Sequence, residues 1–231
     1  MTAALGWGAL AASSLVIGAL LGVVRPWPAR LVGVVLAFGA GALISAVSFD
    51  LAEEGAKVGD AGVLGIGLAA GALTYYSLNR LLEREGGDST GSALALGAFL
   101  DGIPEQAVLG IGLAAGDGVS VGLLVAIFVS NLPEAIGSAT DLKSGGESDR
   151  RVIGLWVAVA VICCLATIGG YAVGDAATGN FNALVDGFAA GALLVMLIDS
   201  MIPAAARKAG DAAGLVTVLG FAVAAALSQV S

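Results

Sequence analysis

The chain has 231 residues, 58% of them hydrophobic and only 12% charged. A soluble domain of that size, ordinarily about 25% charged, cannot hide so much apolar surface, so the solvent for most of the chain is lipid. A net charge of −8 with no basic tract excludes nucleic acid as a partner, and the absence of histidine excludes imidazole-dependent metal or haem sites and Ser/His or Cys/His nucleophile pairs.

Eight apolar stretches follow one another, each long enough to cross a hydrocarbon core of about 30 Å. Their continuity predicts helices rather than the short alternating strands of a membrane barrel. The first, Ala3–Val24, has no basic residue ahead of it and reads as a retained span, not a cleaved signal. Arg25-Pro26-Trp27-Pro28 ends it, with Trp27 as an interfacial anchor. The second, Arg30–Leu51, carries Phe38-Gly39-Ala40-Gly41-Ala42-Leu43 and then Asp50. The third is Ala61–Leu82. The fourth, Ser92–Ala115, contains Leu100-Asp101-Gly102-Ile103-Pro104-Glu105-Gln106, and the fifth, Val119–Thr140, contains Val129-Ser130-Asn131-Leu132-Pro133-Glu134-Ala135. The linker from Asp141 to Arg151 is the most polar but too short for a domain, so residues 1–231 form one transmembrane domain. The sixth, Val152–Val173, holds the adjacent Cys163 and Cys164, which read as small packing residues. The seventh, Phe181–Ile202, carries Phe188-Ala189-Ala190-Gly191-Ala192-Leu193 and then Asp199; the eighth is Ala212–Gln229.

Nine of the ten basic residues (Arg25, Arg30, Arg80, Arg84, Lys143, Arg150, Arg151, Arg207 and Lys208) flank the connectors after helices one, three, five and seven. The positive-inside rule makes that side cytoplasmic and places both termini outside. The opposite side holds Glu53, Glu54, Asp60, Asp117 and Asp175 against Lys57 alone, a cation-attracting vestibule or simply solvated loop charge. The Phe38–Leu43 and Phe188–Leu193 segments, in helices that cross in opposite directions, are the mark of inverted repeats, a transporter plan with its site at the repeat interface.

A charged carboxylate near the bilayer midplane costs at least about 2.5 kcal/mol and persists where it faces a bundle interior, a wet cavity or a partner. The lysines read as connector residues, and no basic residue lies at the depth of Asp101, Glu105 and Glu134 in the predicted helices. Protonation or a bound cation is left to offset the charge. Asp101 and Glu105, four apart, share a helix face, as do Ser130 or Asn131 with Glu134. Pro104 and Pro133 cannot donate to the carbonyls of Leu100 and Val129, which become further oxygen ligands for an ion.

On these residues the chain resembles the ZIP family of divalent metal transporters, which carries His-Asn-x-Pro-Glu-Gly in its fourth helix and [His/Gln]-[Glu/Asp]-x-Pro-[His/Glu] in its fifth. The matching stretches are Asp101 to Gln106 and Ser130 to Ala135, with Phe38 to Glu54 and Phe188 to Pro203 extending the match. The resemblance implies an all-α integral membrane fold of eight helices in a 3+2+3 arrangement with inverted outer triplets. It also implies a metal site between helices four and five, alternating access and often a homodimer. By position it carries metal binding onto Glu105 and Glu134 and an acidic entrance onto Asp50 and Glu54, with Asp101 where the family has a histidine and Ser130 and Asn131 at the first two polar positions of the fifth-helix segment. Departures are equally specific: every family histidine is missing, Gly102 supplies no ligand, and no acid stands near Cys164-Leu165-Ala166-Thr167. Asp199 sits one residue, about 100° of helix rotation, from the expected register, where Ser200 stands.

The expected function is therefore a divalent metal cation transporter of the plasma membrane, moving ions toward the cytoplasm, and not an enzyme. Asp101, Glu105, Asn131 and Glu134 are the metal residues; Ser130, Gln106, Asp50, Glu54 and Asp199 line the pathway. No cofactor is expected beyond the cation itself, Zn, Mn, Fe or similar. An all-oxygen set suits hard ions such as Mn²⁺, Mg²⁺ or Ca²⁺, and carboxylates also take zinc. The alternatives are a proton-coupled carrier or channel for another solute, a ZIP-like protein that has lost transport, and an intramembrane protease using Asp101 and Asp199.

Overall fold

The computed structural model describes residues 1–85, 90–114, 120–176 and 178–228, with backbone alone for 82–85 and 90–100. Eight helical rods follow one another: α1 (Thr2–Val24), α2 (Ala29–Val58), α3 (Ala61–Glu85), α4 (Thr90–Ala114), α5 (Val121–Ser144), α6 (Asp149–Ala176), α7 (Asn180–Ala209) and α8 (Ala212–Ser228). No strand occurs among the described residues. Six rods, α1, α2, α3, α5, α6 and α7, are long and apolar enough to cross a membrane. Of the other two predicted spans, α4 is 25 residues long and α8, at 17, is a shorter apolar helix. The predicted ends at Ala115, Val119 and Gln229, the acid Asp117 and the Arg84 side chain lie outside the described residues.

Two rods, α2 and α7, each pass through a π-helical stretch. In α2 it is Val47–Glu53, and in α7 it is Leu197–Met201. The stretches begin 150 residues apart, the same interval that separates Phe38 from Phe188. A π turn admits one more residue than an α turn and so changes which side chains face inward, a device common at functional sites.

The closest neighbours are α3 with α7, α2 with α8, α4 with α6, and α1 with α5. Exchanging α1 with α6, α2 with α7, α3 with α8 and α4 with α5 turns each of these pairs into another member of the set. The correspondence reaches individual backbone atoms. A Cβ on Gly220 of α8 would strike the carbonyl oxygen of Phe38, and one on Gly71 of α3 would strike that of Phe188. Likewise Gly22 of α1 lies against the carbonyl of Ile136, and Gly170 of α6 against that of Ala107. Lipid tails supply no hydrophobic drive between helices, so small residues that let backbones touch provide the adhesion.

A large apolar cluster joins α2, α7 and parts of α4, α5 and α8, including Leu36, Leu43, Val108, Ile127, Leu193 and Met196. A second joins α1, α5 and α6 around the fully buried Trp156. At the end of α5, the Lys143 ammonium donates to the Val23 carbonyl at 2.7 Å and pairs with Asp149 at 3.1 Å, tying α1, α5 and α6 together.

Candidate functional site

Helices α4 and α5 both run through their prolines, Pro104 and Pro133, without interruption. Their Pro-Glu segments face each other and carry the polar interior. Asp101 is 4% exposed and Glu105 1%, with Ser130 and Asn131 equally buried; Glu134 is half-buried. The Asp101 and Glu134 carboxyl groups lie within electrostatic reach of each other across the helix pair. Glu105 takes its donors from α5: Asn131 Nδ2 gives to Oε2 at 2.8 Å, and Ser130 Oγ approaches both carboxyl oxygens at 3.3 and 3.4 Å while also facing the Ile127 carbonyl at 3.0 Å. Asp101, Glu105, Asn131, Glu134 and Ser130 therefore share one oxygen-rich region between α4 and α5.

Two further residues complete it. Tyr75 of α3, 3% exposed, donates its hydroxyl to Asp101 Oδ1, and Ser200 of the α7 π segment donates to Oδ2 at 2.9 Å. A tyrosine buried in an apolar helix needs a partner for its hydroxyl, which is the signal that α3 held. Among the described residues no three Asp, Glu, Cys or His side chains converge as a ready-made metal cage. The donors and acceptors of the cluster are engaged with one another instead.

The other sequence candidates are placed elsewhere. Gln106 turns to α6, where Thr167 Oγ1 donates to its Oε1 at 2.7 Å, and its buried Nε2 has no partner. Thr167 lies in the α6 segment where the family resemblance led to an expected acid. Gly102 makes room for α6, since a Cβ there would sit 2.8 Å from Cys163 Sγ. Asp199 is exposed; the π register brings Ser200 inward in its stead. Asp50, in the other π segment, accepts from Ser120 at 3.1 Å, which joins α2 to the start of α5. Glu54 lies one turn on, paired with Lys57 at 3.5 Å, and Lys57 also meets Glu53 at 3.0 Å. Lys57 is thus engaged with two of the acids near it. Asp186 of α7, which sequence reasoning passed over, is buried close to Gly55 and within electrostatic reach of Glu54.

One expectation is corrected. The sequence places Lys208 in a polar connector. It occupies the last turn of α7, half-buried, and its ammonium lies 3.0 Å from where a Cβ of Gly137 would stand, three residues beyond Glu134 on α5. Its flexible stem carries charge well inward of its Cα, the reach for which lysine is known in membranes.

No family model matches the chain. The chain is 31% identical over 190 residues to an Arabidopsis thaliana protein named "Putative zinc transporter", and the match covers 77% of this chain. The chain spans about 30% of that relative's length. This likeness over most of the chain is consistent with the resemblance to the ZIP metal transporters carried by its paired Pro-Glu helices.

Proposed function

We propose that the chain is a divalent metal cation transporter of ZIP type, with α1–α3 and α6–α8 as inverted triplets around the α4–α5 pair. The observation that carries this reading is the placement of Asp101, Glu105 and Glu134 on facing, proline-bearing helices, with Asp101 and Glu105 buried among hydroxyl and amide groups of α3, α5 and α7. Such a concentration of carboxyl groups at depth is costly unless a cation passes there. The relative's zinc-transporter name supports a metal as cargo.

An incoming divalent ion settles between Asp101 and Glu134 and gains two carboxylate oxygens. Asn131 reorients from Nδ2 toward Glu105 to offer its carbonyl oxygen, and Glu105 adds a third carboxylate. Tyr75 and Ser200 hold Asp101 in place throughout. Uptake is toward the cytoplasm, with Asp50 and Glu54 on the outer approach, both termini outside, and the plasma membrane as the location. Pairing into a homodimer belongs to the same reading.

Purified protein in proteoliposomes tests this across Zn²⁺, Mn²⁺, Fe²⁺, Mg²⁺ and Ca²⁺, with Glu105→Gln and Glu134→Gln beside the parent chain. Loss of a carboxylate ligand worth upward of about 1.4 kcal/mol weakens the ion at least tenfold. Unchanged uptake in both variants sinks the site. The nearness of the Asp101 and Glu134 carboxyl groups favours one second reading, a proton-coupled carrier of another solute. It predicts proton movement with no divalent flux.

A further inference from the structure

Glu134 and Gly137 are three apart on α5 and so share a face, with Gly137 about 4.5 Å further along the axis. The space that a side chain at 137 would fill holds the ammonium of Lys208, 3.0 Å from that Cβ position. The lysine's own backbone is fixed from behind, because Gly33 of α2 packs directly on Lys208 Cβ and the Ala209 amide. The stem therefore leaves a clamped anchor and runs toward α5. Among the described residues its ammonium makes no ion pair or hydrogen bond. The ammonium is within electrostatic reach of Glu134. A half-buried cation one turn from a carboxyl cluster, held short of it, is a salt bridge left open.

We propose that Lys208 is a tethered counter-ion that competes with the transported divalent cation for Glu134 and speeds its release from the carboxylate cluster. The inference rests on the metal-transport reading of the α4–α5 site. When the ion sits on Glu134, the ammonium is repelled; when the ion leaves, the ammonium replaces part of the lost charge. A fixed positive charge at that position thus weakens equilibrium binding and prevents the emptied carboxylates from recapturing the ion. Lys208 is a positioning residue for charge and not a metal ligand.

The test measures Mn²⁺ and Zn²⁺ binding to detergent-purified protein, beside turnover in proteoliposomes. Lys208→Gln tightens the Kd about tenfold or more and lowers turnover at saturating ion; Lys208→Arg retains both parent values. Gly137→Ala, whose methyl group displaces the ammonium without removing it, moves both quantities in the direction of Lys208→Gln. That variant carries the test if Lys208→Gln fails to fold. Glu134→Gln, with and without Lys208→Gln, separates the two readings. If Glu134→Gln abolishes binding while Lys208→Gln and Gly137→Ala leave Kd and turnover at parent values, the counter-ion is overturned and the metal site stands. If Glu134→Gln binds both ions as the parent does, the site reading falls and the counter-ion with it.

Discussion

The same construction is used twice in this molecule, and the two copies differ where the polar cluster lies. On one side α2 receives α5: Gly39 lies so close that a Cβ would come within 2.8 Å of Ser130 Cα. On the other side the counterpart of Gly39 is Ala189 of α7, and there the helices do not close. Ala189 and Ala192 share the lining of a cavity of about 620 Å³ with Tyr75, Ile103, Pro104 and Ala107. One methyl group separates the two arrangements in sequence. Ser130, beside Gly39, is held in a backbone contact, whereas Asp101, which precedes Pro104 by the interval that separates Ser130 from Pro133, is reached by longer arms, Tyr75 and Ser200. A close seam fixes α5, and hydrogen bonds across a looser one hold α4.

Substitutions that treat the two copies alike or apart test this comparison. The largest effect is expected from Gly220→Val and Gly71→Val, each of which drives a side chain into a backbone carbonyl that cannot move aside. Both should cost upward of about 3 kcal/mol, at the top of the range for overpacking, measured by thermal unfolding in detergent. Closely similar losses support the twofold correspondence; a large loss in one alone breaks it. Next comes Gly39→Ala, with an expected cost of about 1–3 kcal/mol, against Ala189→Gly, which should cost about 0.5–1 kcal/mol through helix propensity alone. Equal costs would mean that the close seam is no closer than the open one. Tyr75→Phe removes a donor to Asp101 and should cost about 1.5 kcal/mol, with reduced metal uptake. Unaltered stability and uptake would show α4 to be held by something else. The smallest effect is expected from Lys57→Ala, whose ion pairs with Glu53 and Glu54 are solvent-exposed; stability in the same assay should stay within error.

Much of this was legible in the amino-acid order. Long apolar runs marked the rods, and the Phe38–Leu43 and Phe188–Leu193 match marked the repeat, because membrane burial imposes composition and small residues mark close contacts. Spacing of four placed Asp101 and Glu105 together, and Pro-Glu pairing brought Glu134 and Asn131 to them. What escaped was whatever depended on register or reach. A π turn depends on where backbone hydrogen bonds fall, so the π segments themselves went unseen, although the resemblance already set Ser200, not Asp199, in the inward register. Lys208 has an inner-facing address in the sequence, but its charge lies a full side chain away from its Cα, in space that only Gly137 leaves open. Tyr75 joined the site across 26 residues of chain, with no local pattern to announce it.

The contacts of Gly220 with Phe38 and Gly71 with Phe188 have a consequence for how these helices let go of one another. A glycine laid on a carbonyl is held by dispersion and weak Cα–H···O attraction, and a gap of 0.5–1 Å already forfeits about a quarter to a half of a dispersion contact. Adhesion of this kind has almost no range. The seams engage or part like a latch, with little force felt in between.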